Sequence, residues 1–153
     1  MTVSVNITVP NIVDECNMQT SLDLQAMRAR GVEIANAVYD DWVMTEDDMK
    51  AITYALRDIT SNMAFALRTI IKAYTLRGDA ISVDLENDYA EEGEETTLYN
   101  LVSKYMRHSL LAWWYHYRDA ELSTRNEEAA NVTLNNIFTQ CLPRTGSTIG
   151  RYF

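Results

Sequence analysis

Residues 45–76 read TEDDMKAITYALRDITSNMAFALRTIIKAYTL. Apolar side chains recur in this stretch at alternating spacings of three and four, which places them on one face of an α-helix. The residues on this face are Met49, Ile52, Leu56, Ile59, Met63, Ala66, Ile70 and Ala73. Thr45 can cap the start of the helix, and Gly78 can end it after Arg77. The pattern predicts one helix over residues 45–77, about 45–50 Å long, around which the rest of the chain is organised.

Length and composition predict a single folded domain. The chain has 153 residues, 47% of them hydrophobic, and two prolines, which suits one mainly helical core and is too short for two. The expected fold is mainly α, a helical bundle around the long central helix, with a small β element and extended N- and C-terminal arms. We divide the domain 1–153 into an N-terminal strand or arm (1–15), a helical bundle (19–142) and a C-terminal arm (143–153).

The net charge of −9 argues against a nucleic-acid-binding surface, which would be basic. No apolar run approaches the roughly 20 residues of a membrane helix, and the N-terminus lacks the positive region of a secretory signal. Cys16 and Cys141 are the two cysteines, and their separation does not suit a disulfide framework. We expect buried, reduced thiols and a cytoplasmic setting.

Two short segments have the alternation of a half-buried strand. Residues 2–9 read TVSVNITV, and Pro10 follows them. The second alternating run is Ile81, Val83 and Leu85. The two segments could pair within one subunit or between neighbouring subunits.

The remaining periodic segments predict helices. Residues 19–43 suit two helical pieces with a break at Gly31. Residues 96–121 suit a second long helix, and residues 124–142 suit a third that begins with a Thr124–Glu127 capping box. Between residues 110 and 117 the second helix is apolar or aromatic nearly all round, so part of it is expected to face another subunit.

An acidic segment separates the central helix from the second one. Seven of the twelve residues in 84–95, DLENDYAEEGEE, are acidic and none is basic. The spacing of Asp84, Glu86 and Asp88 is similar to a calcium loop, but the glycine and the closing glutamate of an EF-hand are missing. A solvated acidic loop is the favoured interpretation, and a weak divalent-cation site is the alternative.

No pattern predicts catalysis, a metal site or a cofactor site. His108 and His116 lie eight residues apart on one predicted helix, but Tyr105 and Trp113 stand where a di-iron bundle would have glutamates. The chain also lacks a nucleophile elbow, a glycine-rich phosphate loop and a Cys-x-x-Cys motif. We therefore predict that the protein is not an enzyme.

The aromatic residues near the end of the second helix are candidates for an interface. Trp113, Trp114, Tyr115 and Tyr117 could stack on a flat ligand, but at helical spacing they are more typical of a core or an interface. The C-terminal segment adds apolar and basic side chains in a glycine-containing stretch. The full set of candidate interface residues is Trp113, Trp114, Tyr117, Arg144, Ile149, Arg151, Tyr152 and Phe153.

The order of a long helix (45–77), an acidic loop (84–95), an aromatic helix (96–121) and an extended tail (143–153) resembles the small neck proteins of tailed bacteriophages. These are the head–tail connectors, or adaptors. The resemblance implies a structural virion protein that forms a homo-oligomeric ring around the DNA channel and joins the portal to the tail and neck proteins. It further implies terminal arms that grip neighbouring subunits, no cofactor, no sequence-specific DNA binding, and a location in the host cytoplasm before assembly into the virion.

Two other classes remain open. The charge and the acidic segment also suit a small acidic binding or inhibitor protein that mimics DNA. A helical bundle that binds a ligand near His108, His116 and the tryptophan pair is the second alternative.

Overall fold

A computed structural model describes residues 2–87 and 94–141. This part of the chain is mainly helical and has a small three-stranded antiparallel sheet. Its elements are β1 (Thr2–Thr8), α1 (Val9–Ala29), α2 (Asn36–Trp42), α3 (Met49–Ala66), β2 (Ile71–Arg77), β3 (Ala80–Glu86), α4 (Glu94–Tyr115) and α5 (Ala120–Cys141). The mainly α class with a small β element is therefore confirmed.

The prediction of one helix over residues 45–77 is wrong in its last third, residues 67–77. The capped start is present, because the Asp48 carboxylate accepts the backbone N–H of Thr45 at 2.9 Å, and a 3₁₀ turn leads into α3. The helix ends at Ala66, and the N–H groups of Ile70 and Ile71 both return to the carbonyl of Leu67. Beyond this turn the chain forms β2, in which Ile71, Tyr74 and Thr75 are residue types that favour a strand. A bundle around one long central helix is therefore not confirmed in the described part of the chain.

Gly78 belongs to a β-hairpin and does not end a helix. Arg77 pairs with Ala80, which leaves Gly78 and Asp79 as a two-residue turn between β2 and β3. Gly78 has a φ of 61°. Glycine adopts this positive φ without strain because it has no Cβ atom. Glycine at the first position of a two-residue turn is typical of a tight hairpin.

The predicted pairing of the two alternating segments is confirmed, and it lies within one chain. β1 runs antiparallel to β3, with Val3 opposite Leu85, Val5 opposite Val83 and Ile7 opposite Ile81. All six of these side chains are buried. The strand order β1–β3–β2 places β3 in the centre, so β1 and β2 are the edges of the described sheet.

The N-terminal segment is not an extended arm as far as residue 15. β1 ends at Thr8 and α1 begins at Val9, with Pro10 in its first turn. Proline is well suited to this position because the first N–H groups of a helix have no partner inside the helix. The predicted break at Gly31 is confirmed: α1 ends at Ala29, and Gly31 has a φ of 83°.

The third predicted helix begins earlier than its apparent capping box. α5 starts at Ala120, and Asp119 caps it by accepting the backbone N–H of Leu122 at 3.0 Å. The Thr124 hydroxyl instead donates to the carbonyl of Ala120 from inside the helix. The cap prediction was wrong because Thr-x-x-Glu is a local pattern that also occurs within helices.

α4 packs against α1, α3, α5 and β1, and its large side chains fill the space between them. The fully buried members of this core include Leu98, Met106, Leu110, Leu111 and Tyr115 on α4, and Ile52, Leu56 and Met63 on α3. α4 and α5 form a helical hairpin joined by residues 116–119. None of the described helices is long and apolar enough to cross a membrane.

Candidate functional site

The aromatic residues at the end of α4 divide into an inward pair and an outward pair. Trp114 and Tyr115 are buried, whereas 42% of Trp113 and 92% of Tyr117 is exposed. For Trp113, Trp114 and Tyr115 the division follows from helix geometry, because consecutive residues are turned about 100° from one another, whereas Tyr117 lies in the turn that follows α4. Of the candidate interface residues in the described part of the chain, two are therefore available to a partner and Trp114 belongs to the core.

The inward pair is held by polar contacts as well as by packing. The Trp114 indole N–H donates to the carbonyl of Trp42 at 3.0 Å, and the Tyr115 hydroxyl donates to the Asp23 carboxylate at 2.7 Å. The rings of Trp42 and Tyr115 also meet edge to face, with centroids 5.1 Å apart. Burial, together with the hydrogen bond to Asp23, raises the pKa of Tyr115 far above its ordinary value. These contacts tie α4 to α1 and α2.

Arg118 fixes the turn between α4 and α5. Its guanidinium lies 3.7 Å above the ring of Trp114, donates to the carbonyls of Trp114 and Asp41, and pairs with the Asp41 carboxylate at 3.4 Å. The Ser123 hydroxyl donates to the carbonyl of Ala112 at 2.7 Å, which closes the same turn from the α5 side. These contacts hold the turn between α4 and α5 in place, and we call this turn and the end of α4, which carry the outward aromatic residues, the braced corner.

A groove of about 580 Å³ lies beside this corner, between α3, α4 and α5. Its walls combine aromatic and small apolar side chains with amide, hydroxyl and charged groups. The lining residues are Ile59, Asn62, Tyr105, Ser109, Ala112, Trp113, Trp114, His116, Tyr117, Arg118, Ser123, Glu127, Ala130 and Asn131. We call this feature the aromatic groove.

The structure does not join the two histidines in one site. His108 lies outside the groove, and its Nδ1–H donates to Asn126 Oδ1 at 2.9 Å. The tautomer follows from Asn126, whose amide nitrogen donates to the carbonyl of Leu122. His116 lines the groove and packs edge to face on Tyr117, with centroids 4.5 Å apart. No group of three or more metal-ligating side chains occurs within residues 2–87 and 94–141.

Both cysteines are free and buried, as predicted. Burial raises the pKa of Cys141 to about 11 and that of Cys16 further still. Both thiols are therefore protonated at neutral pH, and a protonated thiol is a poor nucleophile.

The described ends of the acidic segment are held by contacts within the chain. Asp84 accepts a hydrogen bond from the Ser4 hydroxyl at 2.7 Å, and Glu86 pairs with Lys72 at 2.9 Å. The buried carboxylate of Glu94 accepts the Asn87 side-chain amide at 2.9 Å. Residues 88–93, which include Asp88 of the alternative cation site, lie outside the described residues, as do Arg144, Ile149, Arg151, Tyr152 and Phe153.

Several groove residues were not predicted from the sequence to belong to a site. Asn62, Glu127 and Asn131 are polar residues on exposed helix faces, and nothing in their local pattern shows that α3 and α5 converge at this point. Arg118 did carry a signal, because it follows an aromatic run directly and arginine commonly stacks on tryptophan.

Comparison with known proteins adds no assignment to this geometry. No family model matches the chain, and no curated protein or solved structure shows significant similarity to it.

Proposed function

We propose that this protein is a structural subunit of a homo-oligomeric ring, of the head–tail connector type found in tailed bacteriophages. In this proposal the ring joins portal to tail and neck proteins, surrounds the DNA channel, and needs no cofactor. Its subunits would collect in the host cytoplasm before they enter the virion. The chain would act by binding neighbours and not by catalysis.

One observation carries the proposal: two exposed aromatic residues stand beside a groove on a braced corner. Tyr117 is almost fully solvated and Trp113 is 42% exposed, although each could contribute a few kcal/mol if covered. Tryptophan and tyrosine are the residues most enriched at the energetic centres of protein interfaces. A partner side chain that enters the groove would find apolar walls together with hydrogen-bonding groups at its rim.

The groove also sets what the partner must offer. Its aromatic and aliphatic walls suit an apolar side chain, and Glu127 in the lining suits a nearby cation. The segment 144–153 of a neighbouring copy supplies both kinds of group, with Ile149, Tyr152 and Phe153 beside Arg144 and Arg151. We therefore propose that the C-terminal segment of one subunit occupies the aromatic groove of the next.

The test is the oligomeric state of a double variant, Trp113→Ala with Tyr117→Ala. We expect the wild-type protein to form a discrete oligomer at micromolar concentration and the variant to associate at least about tenfold more weakly, since truncating interface aromatics commonly costs about 2 kcal/mol or more. Tyr99→Ala is the matched control, because Tyr99 is an exposed aromatic residue of the same helix that does not line the groove. Light scattering that finds a wild-type monomer, or equal association for all three proteins, would contradict the proposal.

The dimensions of the groove also favour a second candidate, a small-ligand-binding protein. A volume of about 580 Å³ falls within the range of small-molecule sites, and the walls could stack on a flat ring. Saturable binding of one anilinonaphthalene sulfonate per monomer, lost in Trp113→Ala, would favour this candidate. Binding that is absent, or unchanged by the substitution, would leave the ring subunit as the better interpretation.

A further inference from the structure

The face of α3 opposite the core carries a line of basic and aromatic side chains with one serine among them. Its members recur at spacings of three and four and continue past the end of the helix at Ala66. They are Lys50, Tyr54, Arg57, Ser61, Phe65 and Arg68, and all are exposed. We call this surface the basic stripe. The acidic residue of α3, Asp58, lies at its edge.

The arginines of the basic stripe rest on its aromatic rings. The Arg57 guanidinium lies 5.6 Å from the ring centroid of Tyr54, and that of Arg68 lies 4.9 Å from the centroid of Phe65. Arg68 also donates to the carbonyl of Phe65 at 3.1 Å. Stacking of this kind holds a guanidinium in place while its edge stays free to bind an anion.

The charges of the basic stripe are not neutralised by the carboxylates that the structure describes. Within residues 2–87 and 94–141, the salt bridges join Lys72 to Glu86, Arg118 to Asp41 and Arg125 to Glu121. Two large rings are also uncovered, since 57% of Tyr54 and 72% of Phe65 is exposed. A partner for this surface therefore has to be acidic and partly apolar.

The exposed face of α1 has the complementary composition. Asp14 and Glu15 are followed at helical spacing by Met18 and Leu22, which are 68% and 52% exposed. The first basic residue of α1 is Arg28, at the far end of the helix. The Glu15 carboxylate accepts a long hydrogen bond of 3.4 Å from Ser103, and the rest of this face is open. We call these four residues the acidic stripe.

We propose that the basic stripe of one subunit docks on the acidic stripe of a second copy. With the two helices antiparallel, the contact would bring Asp14 and Glu15 to Arg68 and would cover Phe65 with Met18 and Leu22, because these groups follow one another at spacings of three and four on both helices. Arg57, about 16 Å further along α3, would add a weaker attraction to the same acidic surface. The whole-chain charge of −9 favours another copy over a nucleic acid, because the surfaces beyond the stripe would repel phosphate. This inference rests on the proposed ring and names a pair of surfaces that builds it.

The two stripes are different surfaces of one chain, so the contact is heterologous. A heterologous contact generates a ring when its rotation closes and an open filament when it does not. α1 and α3 both pack against α4, which fixes the angle between the two stripes within a subunit. A fixed angle is what a ring of defined subunit number requires.

A charge exchange tests the contact in the full-length protein. We expect Arg57→Glu with Arg68→Glu, and separately Asp14→Arg with Glu15→Arg, to weaken association at least about tenfold, because like charges then face each other across the contact. All four substitutions in one chain should restore association, since opposite charges face each other again. Lys104→Glu is the control: Lys104 is an exposed cation on α4, outside the stripe, and its reversal should leave association unchanged. If a charge reversal prevents folding, Arg57→Gln with Arg68→Gln replaces it.

The outcomes separate this contact from the proposed function. A wild-type protein that remains monomeric overturns both. A wild-type protein whose assembly depends on Trp113 and Tyr117 but is unaffected by the stripe variants overturns this contact alone. Failure of the fourfold variant to regain association also overturns it, as does tight binding of a single-stranded oligothymidine by the wild type that the Arg57 and Arg68 substitutions abolish.

Discussion

Leu56 is fully buried in the middle of α3, and its loss should leave a cavity between α3 and α4. We expect Leu56→Ala to lower the free energy of unfolding by about 2–5 kcal/mol. Tyr54→Ala, on the exposed face of the same helix, should cost no more than about 1 kcal/mol, the scale of an exposed cation–π contact. Chemical denaturation of both variants measures the difference. A loss below about 0.5 kcal/mol for Leu56→Ala would show that Leu56 is not part of the core.

His108 should make stability depend on pH. Burial lowers its pKa below the ordinary value, only partly opposed by the hydrogen bond to Asn126, so the unfolded chain takes up a proton more readily than the folded one. Protonation therefore favours unfolding, and the contribution of His108 is present above about pH 6.5 and is lost as the pH falls below it.

The comparison is between wild type and His108→Gln from about pH 7.5 to about pH 5. We expect wild type to lose more thermal stability across this range than the variant, because glutamine does not titrate. His116→Gln serves as the control, since His116 is exposed on the groove. Parallel pH profiles for wild type and His108→Gln would contradict the assignment.

At the scale of elements, the sequence offers two candidate N-cap residues for α5, Asp119 and Thr124, and in the structure only Asp119 caps the helix. Asp119 accepts a backbone N–H of the first turn, whereas Thr124 lies within the helix and donates to a carbonyl. We expect Asp119→Ala to cost about 0.5–2 kcal/mol and Thr124→Ala to stay within about 0.5 kcal/mol. Urea denaturation of the two variants measures these losses in the free energy of unfolding. A larger loss for Thr124→Ala than for Asp119→Ala would show that Thr124 caps the helix after all.

At the scale of the molecule, the C-terminal segment should matter for assembly and not for the fold. Residues 144–153 are too few to build a core, but they contain Ile149, Tyr152 and Phe153, which gain most from burial on an existing surface. Deleting them should preserve the helical circular dichroism and the unfolding midpoint of the monomer while weakening association. A truncated protein that unfolds as a monomer would instead place these residues in its own core.

The deletion and the groove variant together test whether the segment enters the groove. If both remove the same contact, deleting residues 144–153 from the Trp113→Ala, Tyr117→Ala background should weaken association no further. Additive losses would mean that the groove and the segment bind different partners.

Local periodicity was sufficient to predict those elements whose tertiary contacts favour the same secondary structure as their own sequence. The strict alternation of residues 2–9 and 81–85 defines two strands with one buried face, and the pairing in the structure uses that face. Gly31 marked the end of α1 because its conformation is a local property of the backbone. The prediction for the aromatic run of α4 is met only in part: Trp114 and Tyr115 are buried, but Trp113 is exposed, and the helix ends at Tyr115 and not at residue 121.

Residues 67–77 were decided by tertiary contacts. Ile70 and Ala73 continue the helical spacing of α3, but β3 is already paired with β1 on one side and offers a row of backbone groups on the other. Pairing with that row satisfies the backbone groups of residues 71–77, so the strand replaces the last turns of the predicted helix. The aromatic groove has the same origin, because Asn62, Trp113 and Asn131 are far apart in the chain and come together only when α3 and α5 pack on α4. A pattern within one helix shows which face is apolar, but the choice of the helix that covers it depends on the packing of the whole chain.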